Sequence, residues 1–261
     1  MITERSARPP DAGDCAPAPW RIGAPRGKLF AIEGVWGAGK TTAARLAAAR
    51  LAQAGFTVTV LHYGPEPGSA GHLSQFLETA LLRRRTGLGG YAAPHHAAVD
   101  VLLRLCREAH HQLTCFRPAL AAHDAVIIDR GVYSKLAWAL AVLAETSPGT
   151  DPAVLLGQLH AAAGPWFCHP DQAVFLDTPW PLARERAIAR GHGGGNPAAI
   201  ERLVFLPRYL NAYRQVLDAH SGRVSKIRTG LRAPGDIADE TAGLLASILD
   251  ASPPVPAAER S

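Results

Sequence analysis

Nine consecutive residues, Gly34-Val35-Trp36-Gly37-Ala38-Gly39-Lys40-Thr41-Thr42, carry the most legible chemistry in this chain. They satisfy the spacing G-x-x-x-x-G-K-[ST], a loop that wraps phosphates when it joins a strand to a helix. Gly34, Gly37 and Gly39 let the backbone curl so that its N–H groups point inward, and the following helix adds its positive end. Ala38 and Thr42 belong to the same cradle. Lys40 is expected to reach the β/γ-phosphates, and the Thr41 hydroxyl to ligate Mg²⁺. A chance Gly-rich turn would lack the strand, the helix and the Lys-Thr pair together. The sequence therefore points to a bound nucleoside triphosphate, with ATP and Mg²⁺ as the expected co-substrate and cofactor.

A second pair, Asp129-Arg130, ends the apolar run Ala125-Val126-Ile127-Ile128. Asp129 at a strand end can hold the metal or its water shell, and Arg130 offers a planar fork to phosphate oxygens. A structural ion pair is the competing reading. Tyr133 and Ser134 follow on the next helix, where they can contact a nucleotide or simply cap and pack. In Gly64-Pro65-Glu66-Pro67-Gly68 two prolines stiffen a turn and present Glu66, as an acceptor ligand, a general base or only a solvated turn acid. Arg186 and Arg190 lie four residues apart on one helical face, placed to stack on adenine or neutralise charge, unless that face is merely solvated. His192-Gly193-Gly194-Gly195-Asn196 fits a mobile lid. His95-His96 and His110-His111 have no Cys or carboxylate at ligand spacing, which disfavours zinc.

The elements that must position these groups follow from periodicity. Strand-length apolar runs recur at Leu29–Glu33, Thr57–Leu61, Ala125–Asp129, Ala173–Leu176 and Val224–Ile227, separated by helical patterns. Ala43, Ala47, Leu51 and Ala54 share a face, and Gly55 marks a stop. Pro94 is a candidate opening for the helix bearing Val99, Leu102, Leu103 and Cys106, and Asp236 a candidate cap for the last helix. Alternating strands and helices predict an α/β chain, a three-layer P-loop NTPase fold with a five-stranded parallel sheet flanked by helices. Residues 1–27 and 251–261 read as tails around one domain, 28–250.

Composition bounds the rest. In 261 residues, 48% are hydrophobic and 19% charged, which is globular, and the net charge of +5 suits anionic ligands. An Arg- and Ala-rich genome would give the same bias. No basic cluster interleaved with aromatics points to nucleic acid, no apolar run is long enough for a membrane span, and four cysteines without C-x-x-C pairing suit a reducing cytoplasm.

In order, these residues resemble the thymidylate kinase family over nearly the whole folded chain. The resemblance is carried by Ile32-Glu33-Gly34 running into the phosphate loop, Glu66-Pro67-Gly68, Arg117-Pro118-Ala119-Leu120, Asp129-Arg130, Ser134, Leu136 and Ala137. It continues through Pro170-Asp171, Leu176-Asp177, Arg190-Gly191, Phe205, Arg208 and Tyr213. It implies transfer of the γ-phosphoryl of ATP to dTMP or a close analogue. Lys40, Thr41, Asp129 and Arg130 then inherit donor, metal and acceptor-phosphate roles. Trp36 stands where the family has an acid near the acceptor sugar, and Pro65 where it has an Arg. Arg104 and Glu108 stand where it has a thymine-stacking Phe and an acceptor-binding Arg. The acceptor side is thus Trp36, Glu66, Arg104, Glu108, Arg130, Tyr133 and Ser134, and a homodimer is compatible with the resemblance. Pro65-Glu66-Pro67 and Val132-Tyr133-Ser134 also resemble deoxynucleoside kinases, in which Glu66 would be the general base. A regulatory ATP-binding protein without turnover is the alternative of another class.

Overall fold

The computed structural model describes residues 27–62, 97–164, 167–192 and 197–251, with the side chains of 191–202 excepted. Residues 1–26 and 252–261 of the expected tails, Glu66, Pro94 and lid residues 193–196 lie outside the described residues.

Lys28–Glu33 (β1) and Ala125–Asp129 (β3) are short apolar runs buried along nearly their whole length, as interior strands of a parallel sheet require. With Val58–His62 (β2), Gln172–Asp177 (β4) and Val224–Arg228 (β5) they form a five-stranded sheet in the order β2-β3-β1-β4-β5. Every adjacent pair is parallel. Register matters for the site. Ile32 lies opposite Asp129, Glu33 opposite Phe175 and His62 opposite Asp129. The carboxyl ends of β1, β2 and β3 therefore finish level, and their polar terminal residues gather at one edge. Ligands of open α/β sheets bind there.

Helices flank this sheet. Lys40–Gln53 (α1) buries Ala43, Ala44 and Ala47, small residues that admit close packing against Pro234–Asp250 (α8). Gly55 ends the α1 turn with φ +97°, and the Phe56 amide donates back to the Leu51 carbonyl at 3.1 Å. Ala97–His111 (α2) continues through a π-helical turn, Gln112–Phe116, into Arg117–Ala122 (α3). Val132–Thr146 (α4) packs on Pro152–Ala163 (α5) and on Pro197–Ala219 (α7), while Trp180–Ala187 (α6) follows β4. Asp236 is not the cap of α8. Pro234 opens that helix after Ala233, because its fixed φ and missing N–H suit the first position, and this leaves Asp236 inside the first turn. Among the described residues, no helix is long and apolar enough to cross a membrane.

Candidate active site

The phosphate loop leaves β1 and enters α1 with Gly34, Gly37 and Gly39 at φ +144°, +82° and +94°. Gly37 is obligatory twice over. Besides its left-handed backbone, a Cβ there would lie 2.0 Å from the Ala183 carbonyl oxygen of α6. Lys40 is buried and donates to the Val35 carbonyl at 2.8 Å, which folds the ammonium back onto its own loop. Burial pushes it down to about 7; the Arg130 charge acts in the same direction, while Asp129 and Glu33 oppose it.

Thr41 and Asp129 are brought together from positions 88 residues apart. The Thr41 hydroxyl donates to Asp129 Oδ2 at 2.5 Å, and His62 Nδ1 sits 3.4 Å from the same oxygen. Asp129 Oδ1 is buried without a hydrogen-bond partner among the described residues. A hydroxyl beside an orphaned carboxylate oxygen is an oxygen donor set that suits a hard cation retaining its waters, as Mg²⁺ does. Arg130 follows with φ +76°, a left-handed conformation costing about 1–2 kcal/mol for a residue with a Cβ. Its amide bonds to the Ile32 carbonyl at 3.2 Å. Gly131 beside it leaves no room for a side chain, since a Cβ would meet Ala31 Cβ at 2.8 Å and Glu33 Oε1 at 3.0 Å. The strained turn redirects Arg130 into a cavity of about 160 Å³.

That cavity is bounded by Trp36 of the loop, Arg104 of α2, Ser134 and Trp138 of α4, and Tyr209 of α7. Trp36 is packed on Tyr209 and Phe205, at ring separations of 5.0 and 6.3 Å. Ser134 Oγ donates to the Gly131 carbonyl at 2.8 Å. Sequence reasoning placed Trp36, Arg104, Arg130 and Ser134 on this side, and they do converge. It missed Lys135, Trp138 and Tyr209, although Trp138 stands one helical turn beyond Ser134 and was recoverable from that spacing.

Two expected acceptor residues are not among those that line the cavity. Tyr133 is fully buried with its ring 4.7 Å from that of His220, because its neighbours on α4 take the cavity face. Glu108 is buried beside Lys135, with its Oε1 accepting from Gln112 at 3.3 Å. A bare carboxylate in that interior needs such partners.

On the other side of the loop, Gly39, Thr42, Arg186 and Arg190 line a second cavity with Arg232 and Pro234. Arg186 donates to the Gly230 carbonyl at 3.2 Å. Arg232, unanticipated from the sequence, comes from the turn after β5, a segment with no motif of its own. Beneath the loop Glu33 is fully buried, and burial pushes it up to about 7. Tyr213 donates to its Oε2 at 2.5 Å, and the Gly34 amide donates to the Tyr213 oxygen at 3.3 Å. This ties α7 to the first residue of the loop.

The thymidylate kinase family model matches residues 32–230, which span every group just described except Ala31, Arg232 and Pro234. The chain belongs to the thymidylate kinase family. A thymidylate kinase of Xanthomonas campestris pv. campestris is 38% identical over 167 residues, 64% of this chain and 63% of that protein. The match thus spans just under two thirds of that relative's length. The thymidylate kinase of Solidesulfovibrio magneticus is 31% identical over 224 residues, 84% of this chain and 98% of its own. A solved thymidylate kinase from Candida albicans superposes with a TM-score of 0.58 at 19% identity, covering 86% of this chain and 92% of that one. The last likeness establishes the shared fold.

Proposed function

We propose that this thymidylate kinase family member transfers the γ-phosphoryl group of ATP to dTMP, giving dTDP and ADP, in the cytoplasm. The observation that carries the reading is the placement of Arg130 between the Thr41–Asp129 pair and the cavity edged by Trp36. Loop amides bind the donor phosphates, and Lys40 exchanges the Val35 carbonyl for phosphate oxygens. Thr41 and Asp129 would hold Mg²⁺, which when bound offsets phosphate charge. Arg130 holds the acceptor phosphate in line. Its oxygen is already an anion, so attack needs orientation and charge stabilisation more than a base. A neutral nucleoside would leave Arg130 without an anion to meet, which disfavours the nucleoside-kinase alternative. Arg186, Arg190 and Arg232 face the donor base. Steady-state assays with ATP, Mg²⁺ and a panel of nucleosides and monophosphates test this. Turnover with dTMP is expected; turnover with deoxynucleosides alone would refute it.

A further inference from the structure

The acceptor cavity holds a second side-chain cation near Arg130. Lys135 follows Ser134 in the first turn of α4, and both line the cavity with Arg130. Its Nζ lies 3.6 Å from Glu108 Oε2, an oxygen buried without a hydrogen-bond partner among the described residues. The contact is a charge pairing, longer than a hydrogen bond. Glu108 is itself held, since its Oε1 accepts from Gln112, whose own carbonyl accepts from the Cys168 amide at 2.6 Å. Burial lowers Lys135 to about 8 and Glu108 opposes this; Arg130 then lowers it, Glu33 raises it and Arg107 lowers it. Glu33 closes β1 just before the phosphate loop, and Arg130 stands in the turn after β3, so these charges set the ammonium toward the phosphate end. Arg104, another cation on the wall, is engaged elsewhere. Its Nε donates to both oxygens of buried Asp100 at 3.1 and 3.2 Å, and its guanidinium lies 4.3 Å from the Trp138 ring centroid.

A phosphate monoester carries about two negative charges at neutral pH, and one guanidinium balances only part of that. An ammonium is a compact charge with three N–H donors, so Lys135 can meet a phosphate oxygen while Glu108 stays beside it. The first turn of α4 carries no acidic residue, and its positive helix end adds to the same side. We propose that Lys135 is a phosphate-binding residue of the acceptor cavity, sharing the acceptor monophosphate with Arg130. Glu108 is the positioning residue that holds the ammonium there. This rests on the monophosphate-kinase reading above and names a second cation for its phosphate. A second charge-assisted contact grips the acceptor before attack, so its loss weakens binding more than turnover.

The test compares dTMP with thymidine, which share base and sugar and differ by the phosphate. Dissociation constants by calorimetry, and kcat and KM for dTMP, are measured for the wild type, Lys135→Arg and the double variant Lys135→Met/Glu108→Gln. The double variant removes both charges, so no lone buried carboxylate threatens folding. It should bind dTMP about 10- to 100-fold more weakly than the wild type and thymidine within about 2-fold, with KM raised more than kcat is lowered. Lys135→Arg keeps the charge and should hold dTMP within about 5-fold of the wild type. Unchanged dTMP binding in the double variant, a parallel loss for thymidine, or a Lys135→Arg variant as weak as the double variant would each overturn the assignment. A wild type that binds dTMP through its phosphate yet passes no phosphoryl group to it would instead refute the kinase reading and leave the phosphate contact standing.

Discussion

The two sides of the phosphate loop are built by opposite means. On the donor side, residues 34–42 are contiguous, and backbone geometry dictates their identity: three positive φ angles, a Cβ-forbidding contact at Gly37, and a lysine folded onto its own loop. On the acceptor side, Trp36, Arg104, Arg130, Lys135 and Tyr209 arrive from four separate stretches of chain and meet only through the packing of α2, α4 and α7. Backbone-defined chemistry tolerates almost no substitution. A cavity walled by side chains can change its charge pattern while the fold persists, as the Lys135–Glu108 and Arg104–Asp100 pairs illustrate.

The largest effect should come from breaking the donor side. Lys40→Ala should lower kcat/KM by about 10³-fold or more with the circular dichroism spectrum unchanged, since it removes charge stabilisation of the transferring group. Gly37→Ala should cost about 10²-fold in ATP affinity, read by nucleotide titration, because either the loop or α6 must give way. Arg104→Ala, on the acceptor side, should raise the acceptor KM by about 10-fold and leave ATP binding alone, which would sharpen the separation. Comparable losses for both substrates would blur it. Tyr213→Phe probes the tie between the sides. Removing the donor to buried Glu33 should destabilise the fold by about 1–3 kcal/mol in urea unfolding.

The smallest effect should lie away from both cavities, at the packed imidazoles of His160, His169 and His220. Burial lowers His160 from 6.5 to about 4. In that window the unfolded chain binds the proton that the folded one refuses, so its contribution is present above 6.5 and is lost as pH falls toward 4. Glu33 acts in the opposite sense, its raised value weakening the fold as pH rises from 4.5 to about 7. The comparison must therefore be with His160→Asn, whose melting temperature should decline less than the wild type's between pH 6.5 and 4.5.

Legibility in the sequence followed the same divide. The strands and α1 could be read because apolar runs, Gly55 and the Gly-Lys-Thr loop are local signals. Lys40 and Thr41 open the helix that the loop feeds, and Asp129 and Arg130 close an apolar strand, so all four stand beside local signals. Tyr133 and Glu108 do not line the cavity, because which side of a helix meets a cavity depends on partners distant in sequence. Tyr133 is taken up by His220, and Glu108 by Lys135 and Gln112. Lys135 and Arg232 carry no motif, and only the packing of α4 and the turn after β5 brings them to the two cavities. The Asp236 cap failed to a local rule, since Pro234 already occupied the opening position.

The proposed reaction carries a phosphoryl group from the donor cavity to the acceptor cavity across the loop. The most direct measurement follows γ-labelled ATP incubated with Mg²⁺, dTMP and either the wild type or Lys40→Ala. Label appearing in dTDP with the wild type, and falling by about 10³-fold in the variant, is the predicted result. ATP that binds tightly yet passes no label to any nucleoside monophosphate would contradict the account.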